Sequence, residues 1–380
     1  MGRPSLILAA LAADAAPGKN FRHYLKVDGN PDVEILRLWD AEGVSFELKI
    51  PATGNGVSEL ATELSVLRAL RPVAANLPFE VPNQVGQTQD SDGTTAVVFT
   101  LLGGSSPDLS RLAPGVFSKS FAQSMAALHS LDTSTFVDAG LPTYDSTALL
   151  HQKVQELDQM AATGRIPAPL LSRWESALED IGLFRFHPTV VHGSISSETV
   201  MIEGQQVVGI VGWNSLSVAD PAEDFRWLSG GALPSTFEDA LIHYRALRPN
   251  ADENLAQRAN LYSELELGSW LLHCLEVGDV EQIKQAEDLL TELKDNLEAG
   301  NLKDLTATSF VGLAAASTII PMAMDTSPIT EVVAGEEIAA ESEDFSDDSG
   351  SESMDELTVE VEVISETDAM PTETSLDELF

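Results

Sequence analysis

The residues able to do chemistry fall in two places. In the middle of the chain, VVHGSISSETVMIEGQQVVGIVGWN runs from Val190 to Asn214. An apolar run leads into His192-Gly193. A polar loop follows, then two apolar segments around a tight turn, then Gly212-Trp213. The loop offers hydroxyls at Ser194 and Thr199 and a carboxylate at Glu198, while Gly212 offers no side chain. A serine hydroxyl cannot act as a base near neutral pH, and a positioned general base is worth ~10²–10⁴ in rate. Asp220 and Asp224 follow in VADPAEDF. Near the N-terminus, Lys49 and Glu63 lie 14 residues apart. The lysine sits in SFELKIP, which alternates as a strand, and the glutamate in GVSELATELSVLRAL, which has helical spacing. That arrangement lets an ammonium on a strand pair with a carboxylate on the next helix. Glu59, one turn earlier, is the fallback partner, and solvated surface charge is the rival reading.

The elements that must hold these groups divide the chain. VEILRLW (Val33 to Trp39) and SFELKIP (Ser45 to Pro51) read as strands, with Phe46, Leu48 and Ile50 on one face and Glu47 and Lys49 on the other. A helix follows with Ser58 as its cap, then PFEVP and TTAVVFTLL as strands ending at Gly103-Gly104. No Gly-rich loop lies between Val33 and Lys49. From Ser118 the pattern is helical: SKSFAQSMAALHSL, LSRWESALEDI, a helix opened by Ser235 and Glu238 in capping-box spacing, one from about Asp252 to Glu276 and one from Asp279 to Ala299. The first 16 residues mimic a signal peptide, but the short apolar run with one preceding Arg reads better as a helix capped by Ser5 and stopped by Pro17-Gly18.

Composition bounds the function. The chain has 380 residues, 43% of them apolar, and a formal charge of −39. That charge argues against a phosphate-gripping nucleic-acid surface and disfavours anionic membranes. Residues 301–380 hold 20 acidic residues and one basic residue, Lys303. ESEDFSDDSGSES within them is too polar to offset ordering entropy, so 305–380 reads as a disordered acidic tail containing the alternating island LTVEVEVI and the terminus SLDELF. The single Cys274, in an apolar helical stretch, excludes an internal disulfide and fits core packing in a reducing cytoplasm. His129, His151, His187, His243 and His273 lack metal-ligand spacing, His192 reads as a packing residue beneath its loop, and Trp174, Trp227 and Trp270 read as packing residues.

In this order the segments resemble the aminoglycoside phosphotransferase family, and within it the bacterial macrolide phosphotransferase branch. The resemblance covers about Asn20 to Gly300. Its main carriers are LFRFHPT and the His192 stretch through ADPAEDFRWL, with weaker support from ELKIP, TELSVLRAL, LPFEVP, VVFTLLGG and MAALHSLD. It implies a two-lobed, protein-kinase-like α+β fold, with a small β-rich nucleotide lobe (21–104) and a larger helical lobe with the catalytic-loop equivalent (105–304), set between the N-terminal helix (1–20) and the acidic disordered tail (305–380) read from the residues themselves. In the family the loop reads His-Gly-Asp-Leu, three residues, Asn, and a later strand ends in Ile-Asp-Trp. The loop Asp accepts the proton of the attacked hydroxyl, and the Asn and second Asp hold Mg²⁺. Carried over residue by residue, those positions are Ser194, Thr199 and Gly212, so no catalytic position is intact and no metal ligand is assigned. Lys49 and Glu63 match the nucleotide-binding pair, with ATP or GTP as the nucleotide and Mg²⁺ left open. Asp220 and Asp224 fall in a segment that buttresses the lobe.

The resulting expectation is a catalytically impaired pseudokinase of the cytoplasm that binds a small molecule, nucleotide or protein partner, and neither nucleic acid nor membrane. One alternative is an active ATP- or GTP-dependent small-molecule O-phosphotransferase whose metals are held by Glu198, Asp220 or Asp224. The other is a scaffold whose acidic tail binds a partner.

Overall fold

The computed structural model describes residues 2–27, 30–307 and 362–363. The N-terminal half builds α1 (Ser5–Ala15), β1 (Phe21–Val27), β2 (Val33–Asp40), β3 (Ser45–Pro51), α2 (Gly54–Leu70), β4 (Gln84–Gln89) and β5 (Thr95–Thr100). The rest builds α3 (Val116–Leu128), α4 (Thr133–Asp138), α5 (Ser146–Ala162), α6 (Ala168–Glu179), β6 (Thr189–Val191), β7 (Val200–Glu203), β8 (Gln206–Ile210), β9 (Ser217–Ala219), α7 (Arg226–Gly231), α8 (Pro234–Leu247), α9 (Leu255–Val277) and α10 (Val280–Glu298). A last short strand, β10 (Glu362–Val363), joins the first sheet. By internal contacts, 1–308 and 359–380 form one unit; the other, 309–358, lies outside the described residues.

The sheet order is β10-β1-β2-β3-β5-β4, antiparallel from β1 to β4 and parallel between β10 and β1. Alternation decides its two faces. Phe46, Leu48 and Ile50 join Leu36, Leu38 and Val98 in a core that α1 completes with Leu8, Ala9, Ala12 and Ala15. Glu47 and Lys49 take the other face, towards α2. The first helix is therefore a structural layer on the sheet. Its cap position is Pro4, without a side-chain bond, and Ser5 is already helical.

The second core runs from α2 through the helical half. Phe117, Phe121, Met125 and Leu128 of α3 share one buried stripe. Phe121 meets Phe225 edge-on at 5.7 Å. Trp174 is buried, and its Nε1 donates to Glu264 at 2.9 Å. Cys274 is 1% exposed and sits in α9 as a packing residue. The result is the expected two-lobed, kinase-like α+β architecture.

Several local expectations are corrected. The cap of α2 is Thr53, whose hydroxyl accepts from Gly56 N, while Ser58 bonds back to Gly54 O. The Ser235–Glu238 capping box does not form: α8 begins at Pro234 after Leu233, without a side-chain cap. PFEVP is no strand of the first sheet. Glu80 instead forms a bridge to Gly209 of β8, its N donating to Val208 O at 2.8 Å. β1 and β4 carried too weak a pattern to be assigned from sequence. Of the tail expected over 305–380, residues 305–307 pack on the body, with Leu305 buried, and 362–363 pair with β1; the rest lies outside the described residues.

Candidate functional site

Lys49 projects from β3 towards α2, and its Nζ donates to both oxygens of Glu63, at 2.8 and 2.9 Å. Glu47 stands 3.6 Å away and the Phe99 ring 5.3 Å. Burial works against the charge on Lys49, but Glu63 and Glu47 outweigh it and hold the ammonium above its ordinary range. The spacing seen in the sequence thus becomes contact. The fallback partner Glu59 is engaged elsewhere, accepting from Asn214 Nδ2 at 3.1 Å. That bond ties α2 to the segment after Trp213, and Phe79 stacks on the Trp213 ring at 6.2 Å. Asn214 was not singled out from the sequence; its place directly after Gly212-Trp213 was the available signal.

Beside this pair lies a cavity of about 40 Å³ lined in part by Asn30, Lys49, Glu59 and Glu63. It has room for about three waters. Asn30, which precedes β2, contributes to its wall from before Val33. Asn30 Oδ1 accepts from Asp32 N at 2.8 Å and Val33 N at 3.1 Å. Asp32 O in turn accepts from Ala52 N at 2.8 Å, and Thr53 donates its hydroxyl to the Asp32 carboxylate. This segment is thereby fastened to the start of α2. Gly56 permits this approach, because a Cβ there would stand 1.9 Å from Asp32 O. Asn-Pro-Asp was the missed turn signal.

At the other wall, His192-Gly193 follows β6. His192 is fully buried; its Nε2 lies 2.9 Å from Val211 O and its ring meets Trp213 edge-on at 4.6 Å. Facing a carbonyl, Nε2 carries the proton, which leaves Nδ1 as the acceptor for Ser194 N at 3.3 Å. Burial pushes the imidazole below its ordinary value. It is a packing and orienting residue, as expected. Ser194 Oγ lies 3.4 Å from both His192 Nδ1 and Gly212 O.

Thr199 and Gly212 meet. The Thr199 hydroxyl accepts from Ser196 N at 2.8 Å and is engaged inside its own loop. Gly212 has φ +75°, and a Cβ built there would come 2.9 Å from Thr199 Cγ2. The methyl of Thr199 therefore occupies the space that a side chain at 212 would need. The nearby carboxylates are committed or exposed. Asp224 is fully buried and accepts from the backbone N of His192 and Gly193, at 2.9 and 2.8 Å, with His129 Nε2 at 3.0 Å. Burial alone would raise its pKa, but the His129 bond and neighbouring charge hold it below the ordinary carboxylate range. Asp220 is enclosed by Arg258 and Tyr262, with Arg258 Nη2 at 2.8 Å. Glu198 is exposed. Among the described residues, no group of three or more His, Cys, Asp or Glu could hold a metal ion. Mg²⁺ needs hard oxygen ligands, usually with one or two carboxylates. The donors around residues 194, 199 and 212 do not fit it.

Comparison with known proteins agrees with this layout. A curated relative is the "Uncharacterized protein YcbJ" of Bacillus subtilis (strain 168), 21% identical over 203 residues, which are 51% of this chain and 65% of the relative. The chain thus matches just under two thirds of that relative's length. Among solved structures, macrolide 2'-phosphotransferase MphH from Brachybacterium faecium superposes with a TM-score of 0.63 at 21% identity, covering 76% of this chain and 98% of its own. A macrolide 2'-phosphotransferase type I gives 0.62 at 23% identity, covering 75% and 96%. The GDP and kanamycin complex of APH(2")-IIia gives 0.60 at 19%, covering 76% and 98%. Residues 32–266, from just before β2 to the middle of α9, match the sequence profile of the phosphotransferase enzyme family, to which this chain belongs.

Proposed function

We propose that this protein is a phosphotransferase-family member without metal-dependent phosphoryl transfer, and that it uses the cleft beside Lys49 to bind a ligand, a nucleotide being the first candidate. One observation carries the reading: the Thr199 methyl fills the space beside Gly212, opposite the Ser194 hydroxyl. The position matching the family's catalytic base has a hydroxyl, and the position matching its principal metal ligand has neither a side chain nor room for one. General base and metal are lost together. Mg²⁺ does not fit, so no step is assigned to it.

The Lys49–Glu63 pair is what an ATP or GTP phosphate would meet, and the comparison structures include nucleotide complexes. Two carboxylates, Glu63 and Glu47, already engage that one ammonium, and Glu59 lines the same cavity. In a 40 Å³ cavity a triphosphate would also have to displace part of the wall that includes Asn30. Both features predict that nucleotide binds weakly. With Asp220 and Asp224 enclosed, a rescued metal site would rest on Glu198 alone, which supports the impaired reading over an active phosphotransferase.

The test is incubation with ATP or GTP, Mg²⁺ and a panel of macrolides and aminoglycosides, followed by mass spectrometry. No phosphorylated product above background is expected. Robust turnover that Glu198→Ala abolishes would overturn the proposal. A thermal shift with nucleotide, with and without Mg²⁺, reads binding separately: a ligand at 100 times its Kd adds about 2.7 kcal/mol. Equal shifts with and without the metal are expected.

A further inference from the structure

α2 gives the cavity beside Lys49 one wall, through Glu59, Leu60 and Glu63. The two glutamates stand one turn apart, and each is held from a different side. Glu63 accepts from Lys49 of β3 at 2.8 Å, and Glu59 accepts from Asn214 Nδ2 at 3.1 Å. One carboxylate therefore pins α2 to the sheet and the other pins it to the helical half. Elsewhere the two halves are joined through the main chain. Glu80 N donates to Val208 O at 2.8 Å and Glu80 O accepts from Ile210 N at 3.0 Å, while Ser105 and Ile202 exchange two bonds of 2.9 Å. The Glu59–Asn214 bond is made by side chains alone, so it breaks without disturbing either backbone.

The opposite wall is stiff, because β2 and β3 are each paired along both edges. A ligand larger than a few waters does not fit in about 40 Å³, so it enters by moving a wall, and α2 is the wall held by side chains. Asn214 Oδ1 is buried and accepts from no described residue, so the closed arrangement leaves one acceptor that solvent would satisfy on opening. We propose that Glu59–Asn214 is a latch: it holds α2 against the cleft, and the space beside Lys49 opens when the bond breaks. The inference rests on the reading that a ligand enters this cavity and adds how entry is controlled. A ligand that offers Asn214 an acceptor, as a phosphate group does, competes with Glu59 for its Nδ2.

Leu60 is 4% exposed and lines the cavity, so a thiol there reports opening. The test follows labelling of the full chain carrying Leu60→Cys by methyl methanethiosulfonate, read by mass spectrometry. A hydrogen bond to an ionised group is worth about ten-fold or more in an equilibrium, so adding Glu59→Ala or Asn214→Ala should speed labelling by about that factor. The distant Asn214 change guards against a purely local effect of altering residue 59. The two changes together should be no faster than either alone, since they remove the same bond. Glu59→Gln keeps an acceptor for Nδ2 and should label more slowly than Glu59→Ala. Cys274, 1% exposed in α9, is the internal reference. An unchanged rate at position 60, additive effects of the two changes, or equal acceleration at Cys274 would each overturn the proposal. A second measurement leaves the cavity lining intact: Asn214→Ala alone should speed hydrogen exchange over residues 56–63 about ten-fold without altering α9, and unchanged exchange over 56–63 would also overturn it. ATP without Mg²⁺ separates this inference from the nucleotide reading. If ATP fails to slow labelling in the Asn214→Ala background, the nucleotide reading falls, while the acceleration by Asn214→Ala still upholds the latch.

Discussion

Thr199 and Gly212 are a matched pair, so restoring one family residue alone should fail. Gly212→Asp places a Cβ 2.9 Å from Thr199 Cγ2 in a left-handed backbone, and overpacking of this kind costs about 1–3 kcal/mol. Adding Thr199→Asn should recover most of the loss. A double-mutant cycle in denaturant is expected to show a coupling of about 1 kcal/mol or more, and strict additivity would mean the contact is not the obstacle. The Lys49–Glu63 pair predicts an order of effects. Glu63 bonds only Lys49 among the described residues, whereas Lys49 also has Glu47 at 3.6 Å. Lys49→Met strands a buried carboxylate and should cost about 3 kcal/mol, while Glu63→Gln leaves Lys49 a second partner and should cost less. Chemical denaturation of the two variants checks the ranking. The lysine, its glutamate and the three altered positions were legible in the sequence because each is a residue type at a spacing. The Thr199–Gly212 contact was not, because the two are separated by the β7–β8 hairpin and meet only when it closes.

Elements position these residues through a few close contacts. α1 covers the sheet face opposite the cleft with Leu8 fully buried, so Leu8→Ala should cost about 2–4 kcal/mol by urea unfolding without altering ligand affinity. A loss under 0.5 kcal/mol would mean the helix is not part of the folded core. Gly56→Ala should act on the cleft instead, because its Cβ would strike Asp32 O and lift the segment around Asp32 from α2. Faster hydrogen exchange at Ala52 and Thr53, whose amides bond that oxygen, is the expected readout. β2, β3, β5 and the long helices were readable because alternation or helical spacing survives in each. β4, QVGQTQ, was not, since its place is set by its partner β5 and not by its own apolar pattern. Helix caps were misread for a related reason. Ser5, Ser58 and Ser235 fit capping rules locally, but the chain entering each helix begins it at another residue.

At the scale of the whole molecule, buried titratable groups set the acid limit of stability. Burial holds folded His192 below its ordinary 6.5, so as pH falls below that value the unfolded chain takes up a proton that the folded chain does not. Stability therefore drops with acid, by up to ~1.4 kcal/mol per pH unit within that window. Asp224, held below its ordinary 3.8, adds a second loss at lower pH with the same sign. His192→Gln should remove the first stage and keep the second in thermal melts from pH 7.5 to 3. Relief of the −39 net charge is common to both proteins and cancels in the comparison. Persistence of the first stage in the variant would place that proton elsewhere.

The sequence by itself determined the two-lobed architecture, the spacing that lets Lys49 reach Glu63 and the residue types at Ser194, Thr199 and Gly212, because residue type and local periodicity are written position by position. Only the tertiary structure decided which partners Asp220 and Asp224 engage, that a threonine methyl fills the space beside Gly212, that Asn30 lines the cavity beside Lys49 and that Glu362–Val363 pairs with β1. Each of those depends on groups distant in the chain arriving at the same point, and local sequence pattern does not encode that distance.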